Sequence, residues 1–219
     1  MATRLIVFDL DGTLVDSEQG IVSAMALTVS ALGLPAETVE RWRRLIGVPL
    51  REQMALILPT DRLAEAPTVV ETYRVLYREI MLDNSQPFPG VDDLLRELHA
   101  QGDILAICSG KRGPSIREVL AHVGWTQIFP VVISPDDVKR GKPDPESMVV
   151  ALDKTGFQPN QAIMIGDTHF DIEMANRAGV TSCAVTWGTH SRQELAIADP
   201  RFWVDSVAEL KTLLGQWLG

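Results

Sequence analysis

The feature that most constrains this fold is an alternation of short apolar runs with amphipathic segments of ten or so residues. The runs read "RLIVFDL" (4–10), "DILAICS" (103–109), "VVIS" (131–134), "QAIMIGD" (161–167), "TSCAVTW" (181–187) and "RFWVDS" (201–206). Between the later ones lie helical patterns: "GVDDLLRELHAQG" (90–102), "PSIREVLAHVG" (114–124), "PESMVVALDKTG" (145–156) and "FDIEMANRAG" (170–179). They close on Gly102, Gly124, Gly156 and Gly179, the residue type expected just beyond a helix end. Strands apolar on both faces, alternating with helices, predict a parallel sheet covered on both sides, a doubly wound α/β domain.

One stretch breaks the rhythm. Between Ser17 and Ser85 only helical patterns occur: residues 17–33, 36–47, 50–58 and 69–82. They predict a helical bundle inserted after the first strand, at residues 16–87, with the α/β core formed by 1–15 and 88–219. The return segment "DNSQPFPGV" (83–91), with two prolines and a glycine, suits a stiff hinge. The chain of 219 residues is long enough for such a core and a smaller companion. Its net charge of −9 argues against nucleic acid and against an anionic membrane surface. No apolar stretch is long enough to span a bilayer, and the first residues do not read as a secretory signal. Cys108 and Cys183 each sit in a strand-like run, as buried thiols of a reducing cytoplasm would.

The polar residues fall where the strands end, which is where open parallel sheets bind ligands. The first strand delivers Asp9 and Asp11, and the second delivers Ser109 with the amides of Gly110 and Lys111. A loop after the third carries Lys142, and the fourth delivers Asp167 and Asp171. Carboxylates at i and i+2 of an extended segment point to the same side. At about 4 Å and an effective dielectric near 20, their repulsion is on the order of 4 kcal/mol. A proton, a cationic side chain or a metal ion must offset it. Four converging carboxylates suit a hard cation such as Mg²⁺, which takes one or two of them together with waters and phosphate oxygens. Ser109 and its neighbouring N–H groups suit phosphoryl oxygens, and Lys142 suits the charge of a transition state. Singly, each residue has an ordinary explanation as a turn, a cap or a surface charge. Their ordered arrival at successive strand ends is what points to a site.

These stretches resemble motifs of the haloacid dehalogenase superfamily: "DLDGT" (9–13), "CSGK" (108–111), "GKPDP" (141–145) and "GDTHFD" (166–171), in that order. The similarity is to its cap-bearing phosphatases, and the "GVDDLL" and "AGV" segments resemble phosphoglycolate phosphatases and β-phosphoglucomutase relatives. The resemblance implies Asp9 as nucleophile and metal ligand. It makes Asp11 the general acid and base, with its backbone carbonyl on the metal. Ser109, Gly110 and Lys142 would hold the phosphoryl group, and Asp167 and Asp171 would support Mg²⁺, Asp171 directly or through a neighbour. The second motif departs from the family by reading Ser-Gly where Thr-Asn or Ser-Asn is commoner.

The implied activity is hydrolysis of a small phosphorylated metabolite through an aspartyl-phosphate. A sugar-phosphate mutase and a non-catalytic phospholigand binder are the alternatives. The segment "RWRRLIGVPLRE" (41–52) offers Arg43, Arg44 and Arg51 for a second anion on the substrate, against their ordinary place on a solvated helix face. His169, within the fourth motif, reads as a helix-start residue or a border of the site. A monomer or a homodimer is equally compatible with the sequence.

Overall fold

A computed structural model describes residues 4–217. The chain runs β1 (Leu5–Phe8), β2 (Val15–Asp16), α1 (Glu18–Ala31), α2 (Thr38–Arg43), α3 (Leu50–Ile57), α4 (Ala66–Ile80) and β3 (Gln86–Pro87). It continues with α5 (Val91–Ala100), β4 (Ile104–Cys108), α6 (Gly113–His122), β5 (Val131–Ile133) and α7 (Glu146–Thr155). The last elements are β6 (Ala162–Gly166), α8 (His169–Arg177), β7 (Thr181–Val185), α9 (Arg192–Ala196), β8 (Phe202–Val204) and α10 (Val207–Gln216). All six apolar runs become strands of one parallel sheet, in the order β5-β4-β1-β6-β7-β8.

Alternation along β1 shows why the sheet is covered twice. Leu5 and Val7 join the core formed with Met148 and Ala151 of α7 and Met174 of α8. Ile6 and Phe8 face the opposite core, with Leu94 and Leu95 of α5, Ile116 of α6 and Leu210 of α10. Each residue of β1 is fully buried, so the strand has no solvent face to mark with polar residues. Cys108 and Cys183 are buried free thiols, and burial pushes both up to about 12. No helix among the described residues is long and apolar enough to cross a membrane.

The chain leaves β1 toward β4 and β5, then returns to the other side of β1 for β6. The order therefore reverses between β1 and β6, and a crevice opens where the loops after neighbouring strands part. Helices α1–α4 interrupt the chain directly after β2. Their own interior includes Met25, Trp42, Met54, Ile57, Val69 and Tyr73. The two crossings into and out of this helical insertion pair with each other as an antiparallel ribbon, Val15 opposite Pro87 and Asp16 opposite Gln86. Sequence periodicity missed these strands because two residues are too few to carry a pattern.

Candidate active site

The carboxyl end of β1 turns sharply after Asp9. Gly12 adopts a φ of +82°, and any Cβ there would collide with the carboxylate of Asp167, so glycine is required on both counts. From β6 come Asp167 and, in the first turn of α8, Asp171. Thr168 caps that helix: its N–H and hydroxyl donate to Asp171 Oδ2 at 3.1 and 2.7 Å. One oxygen of Asp171 is thus committed to the helix, and Oδ1 stands 2.5 Å from Lys142 Nζ. Lys142 also donates to Asp9 Oδ1 at 2.6 Å. Asp167 is held rigidly, accepting from Thr13 Oγ1 at 2.7 Å and from the Thr189 N–H at 2.8 Å.

Asp9, Asp167 and Asp171 bring one carboxylate oxygen each within 4.8 Å of one another, all three side chains buried. Lys142 is the cation the fold supplies to them. Burial alone would depress its pKa, but Asp171 and Asp9 outweigh burial and hold it above the ordinary lysine range. Three carboxylates against one ammonium leave an excess of negative charge. Burial, opposed by Lys142 and reinforced by Asp171 and Asp167, pushes Asp9 well above the usual carboxylate range. Burial, then Asp171, pushes Asp167 up to about 7. A set of buried, oxygen-only acceptors with uncompensated charge fits a hard divalent cation.

The side chain of Asp11 lies outside this cluster. Its Oδ1 accepts from Ser17 Oγ at 2.7 Å, and its Oδ2 lies 3.0 Å from Lys111 Nζ. The expected crowding of Asp9 against Asp11 is therefore resolved differently: each has its own lysine, and the carboxylates that crowd together are Asp9, Asp167 and Asp171. Ser109 is buried, with its hydroxyl accepting from the Lys111 N–H at 3.2 Å. Gly110 is in close contact with the insertion, since a Cβ on it would strike the carbonyl of Gly47.

Asp9, Asp11, Ser109, Gly110 and Lys111 line a cavity of about 660 Å³ between the sheet and the helical insertion. Of the three candidate arginines, only Arg51 lines it, and Arg51 is in no ion pair among the described residues. Arg43 is turned away, paired with Glu18 at 3.1 Å and donating to the Thr189 carbonyl at 3.3 Å. Arg44 pairs with Glu40 at 3.2 Å on an exposed face. His169 is the first residue of α8, is not among the residues lining the cavity, and contacts His190 across 3.1 Å between their Nδ1 atoms.

Several residues with direct contacts here escaped sequence reasoning: Thr13, Ser17, the side chain of Lys111, and the Gly188–His190 turn. A Cβ on Gly188 would collide with Asp167. The signal for that turn was present, because "WGTH" ends the fifth apolar run and should deliver residues to the same crevice.

A doubly wound sheet with buried aspartates at the ends of β1 and β6, beneath a helical insertion, defines a hydrolase class. Residues 6–185 match the family of haloacid dehalogenase-like hydrolases, and the chain belongs to it. A Dickeya dadantii protein named "Probable phosphatase IndB" is 36% identical, over 94% of this chain and 91% of that protein. The phosphoglycolate phosphatase of Salmonella typhimurium is 32% identical, over 97% of this chain and 92% of the relative. Among solved structures, a haloacid dehalogenase-like hydrolase from Streptococcus pneumoniae superposes with a TM-score of 0.82 at 31% identity, over 97% and 98% of the two chains.

Proposed function

We propose that this protein is a Mg²⁺-dependent phosphatase that hydrolyses a small phosphorylated acid, such as 2-phosphoglycolate, through an aspartyl-phosphate. The observation that carries the reading is the division of labour between two neighbouring aspartates. Asp9 sits among carboxylates with Lys142 on one oxygen, as a nucleophile facing a dianion requires. Asp11 sits apart from the carboxylate cluster, held by a hydroxyl and an ammonium and lining the cavity, where it can reach a leaving oxygen. Two carboxylates in different surroundings are the usual sign of different roles.

In the first step an oxygen of Asp9 bonds to phosphorus while the ester P–O bond breaks. The leaving oxygen takes that electron pair and the proton carried by Asp11. In the second step water attacks the aspartyl-phosphate and gives a proton to Asp11. The P–O bond to Asp9 breaks, and both aspartates return to their starting states. The carboxylates of Asp9, Asp167 and Asp171, with the Asp11 backbone carbonyl, would hold Mg²⁺. Bound there, it would neutralise the cluster that an incoming phosphate dianion meets. Ser109 and the Gly110 and Lys111 amides, at the head of the loop after β4, would receive phosphoryl oxygens, with Lys142 opposite.

In this reading residues 16–87 form a cap over a core of 1–15 and 88–219, and the cap supplies Arg51 to a second anion on the substrate. The setting is the cytoplasm, in keeping with two unpaired buried thiols. The test is phosphate release from 2-phosphoglycolate and a panel of phosphorylated metabolites. Turnover is expected with Mg²⁺, and background release with EDTA or with folded Asp9→Asn. Undiminished release from either would overturn the reading, and return of the phosphoryl group to a sugar phosphate would replace hydrolase by mutase.

A further inference from the structure

Lys111 has a second partner for its ammonium, beyond Asp11, that the mechanism above does not use. Its side chain is 8% exposed, and its ammonium has two polar neighbours on different layers of the protein. On the core, Asp11 Oδ2 lies at 3.0 Å. On the insertion, Lys111 donates to the Tyr77 hydroxyl at 2.9 Å, with the Tyr77 ring centroid 4.6 Å from Nζ. Tyr77 belongs to α4 and is itself buried. Its ring stacks on Tyr73 at 5.5 Å and 17°, and Tyr73 packs against Trp42 at 5.2 Å. The Trp42 indole donates to Gln53 Oε1 at 2.5 Å, and Gln53 in turn donates to the carbonyls of Val48 and Leu45 at 2.6 and 3.1 Å. Those carbonyls flank Gly47, whose own carbonyl is seated on Gly110.

A continuous series of contacts therefore runs from the loop seated on the core, through the interior of the insertion, back to the proton-carrying carboxylate. The remaining oxygen of Asp11 is tied to Ser17, the residue at the head of α1. Both oxygens of Asp11 are thus oriented by groups whose positions depend on the insertion being seated. A lysine with no aromatic partner would keep several rotamers, and Tyr77 removes that freedom by offering both a hydroxyl and a π face.

We propose that Lys111 and Tyr77 are positioning residues for Asp11, holding its carboxyl group in line with the leaving oxygen only when the helical insertion is seated on the core. The proposal rests on the phosphatase reading, with Asp11 as the proton donor. It assigns Tyr77 no contact with substrate, only an action through Lys111. It also predicts a dependence on leaving group. An alkoxide must be protonated as it departs, whereas p-nitrophenolate departs without help, so misplacing Asp11 penalises alkyl esters selectively.

The experiment compares kcat/KM for glycerol 2-phosphate and p-nitrophenyl phosphate, because that ratio reports the steps up to departure of the leaving group. The proteins are wild type, Tyr77→Phe, Lys111→Met, Lys111→Arg and the double variant Tyr77→Phe/Lys111→Met. Since general acid catalysis contributes about 10²–10⁴-fold, Lys111→Met is expected to lose about tenfold or more on the alkyl ester beyond its loss on the aryl ester. Tyr77→Phe should show a smaller loss in the same direction, and Lys111→Arg should restore part of it. In the Lys111→Met background, Tyr77→Phe should add nothing. Equal losses on both esters, or additive losses in the double variant, would overturn the proposal while leaving the phosphatase reading intact. Wild-type protein inert toward both esters and toward 2-phosphoglycolate would remove the reading and the proposal together.

Discussion

Replacing Asp167 by Asn should make the metal-free protein more stable above neutral pH while abolishing its response to Mg²⁺. Asp167 is fully buried, and its carboxyl is pushed from 3.8 up to about 7, chiefly by burial and then by Asp171. An acid with a raised native pKa favours folding below its unfolded value, and that contribution is lost as pH rises through the native one. A difference of about three units amounts to about 4 kcal/mol over the whole window. From pH 5.5 upward about half of it remains to be lost, roughly 2 kcal/mol. For a chain of this length that is a fall in Tm of about 4–8 °C.

Asn removes the titration and can keep both hydrogen bonds, its oxygen accepting from the Thr189 N–H and its amide donating to the Thr13 hydroxyl. His169 and His190, whose pKa values burial lowers, contribute a slope of opposite sign in this range. They are present in both proteins, so they cancel in the difference between the two curves, which reports Asp167 together with its effect on neighbouring Asp9. The assay is thermal unfolding by circular dichroism between pH 5.5 and 8, in EDTA and in Mg²⁺. Wild type in EDTA should lose stability relative to the variant as pH rises, and Mg²⁺ at pH 8 should restore wild type alone. Parallel curves in EDTA, or a Mg²⁺ response retained by Asp167→Asn, would refute the reasoning.

Two further outcomes follow from the geometry of the cavity. Arg51→Ala should raise KM for a phosphorylated acid about tenfold, the loss of about 1.4 kcal/mol. Arg43→Ala and Arg44→Ala, whose partners are Glu18 and Glu40, should leave KM for that substrate near wild type. Steady-state kinetics on 2-phosphoglycolate decide this, and equal effects from all three would return Arg51 to the solvated face. Gly110→Ala forces a methyl group into the carbonyl of Gly47, an overpacking that costs about 1–3 kcal/mol. It should lower kcat/KM by about tenfold through imperfect seating of the insertion, and kinetics identical to wild type would show that the contact is dispensable.

The sheet was legible because each of its strands is an apolar run bounded by turn residues, and the helices between them end on glycine. The cluster of Asp9, Asp167 and Asp171 was legible from one rule, that ligands gather at the carboxyl ends of parallel strands. Applied to β7 as well, the rule would have pointed to Thr189, which donates to Asp167. What pattern reading could not deliver was pairing. Lys111 meets Tyr77 across 34 positions and Lys142 meets Asp9 across 133, and no local periodicity encodes such a meeting. Likewise Arg43, Arg44 and Arg51 are alike as letters. Only the packing of α2 and α3 turns the third toward the cavity and the first two away.

The ribbon formed by β2 and β3 has a consequence for descent. Paired antiparallel residues stand about 5 Å apart, so the chain departs for some seventy residues and returns almost to the point it left. A segment with such ends can be exchanged for another of different length without moving a strand of the sheet, as domain insertions generally require. On the proposed reading, Asp9, Asp167 and Lys142, which act on phosphorus, and Arg51, which meets the rest of the substrate, lie on separately inheritable pieces of chain. One lineage can try new substrates by revising residues between Val15 and Pro87, provided it keeps Ser17 and Tyr77, which reach Asp11 directly and through Lys111.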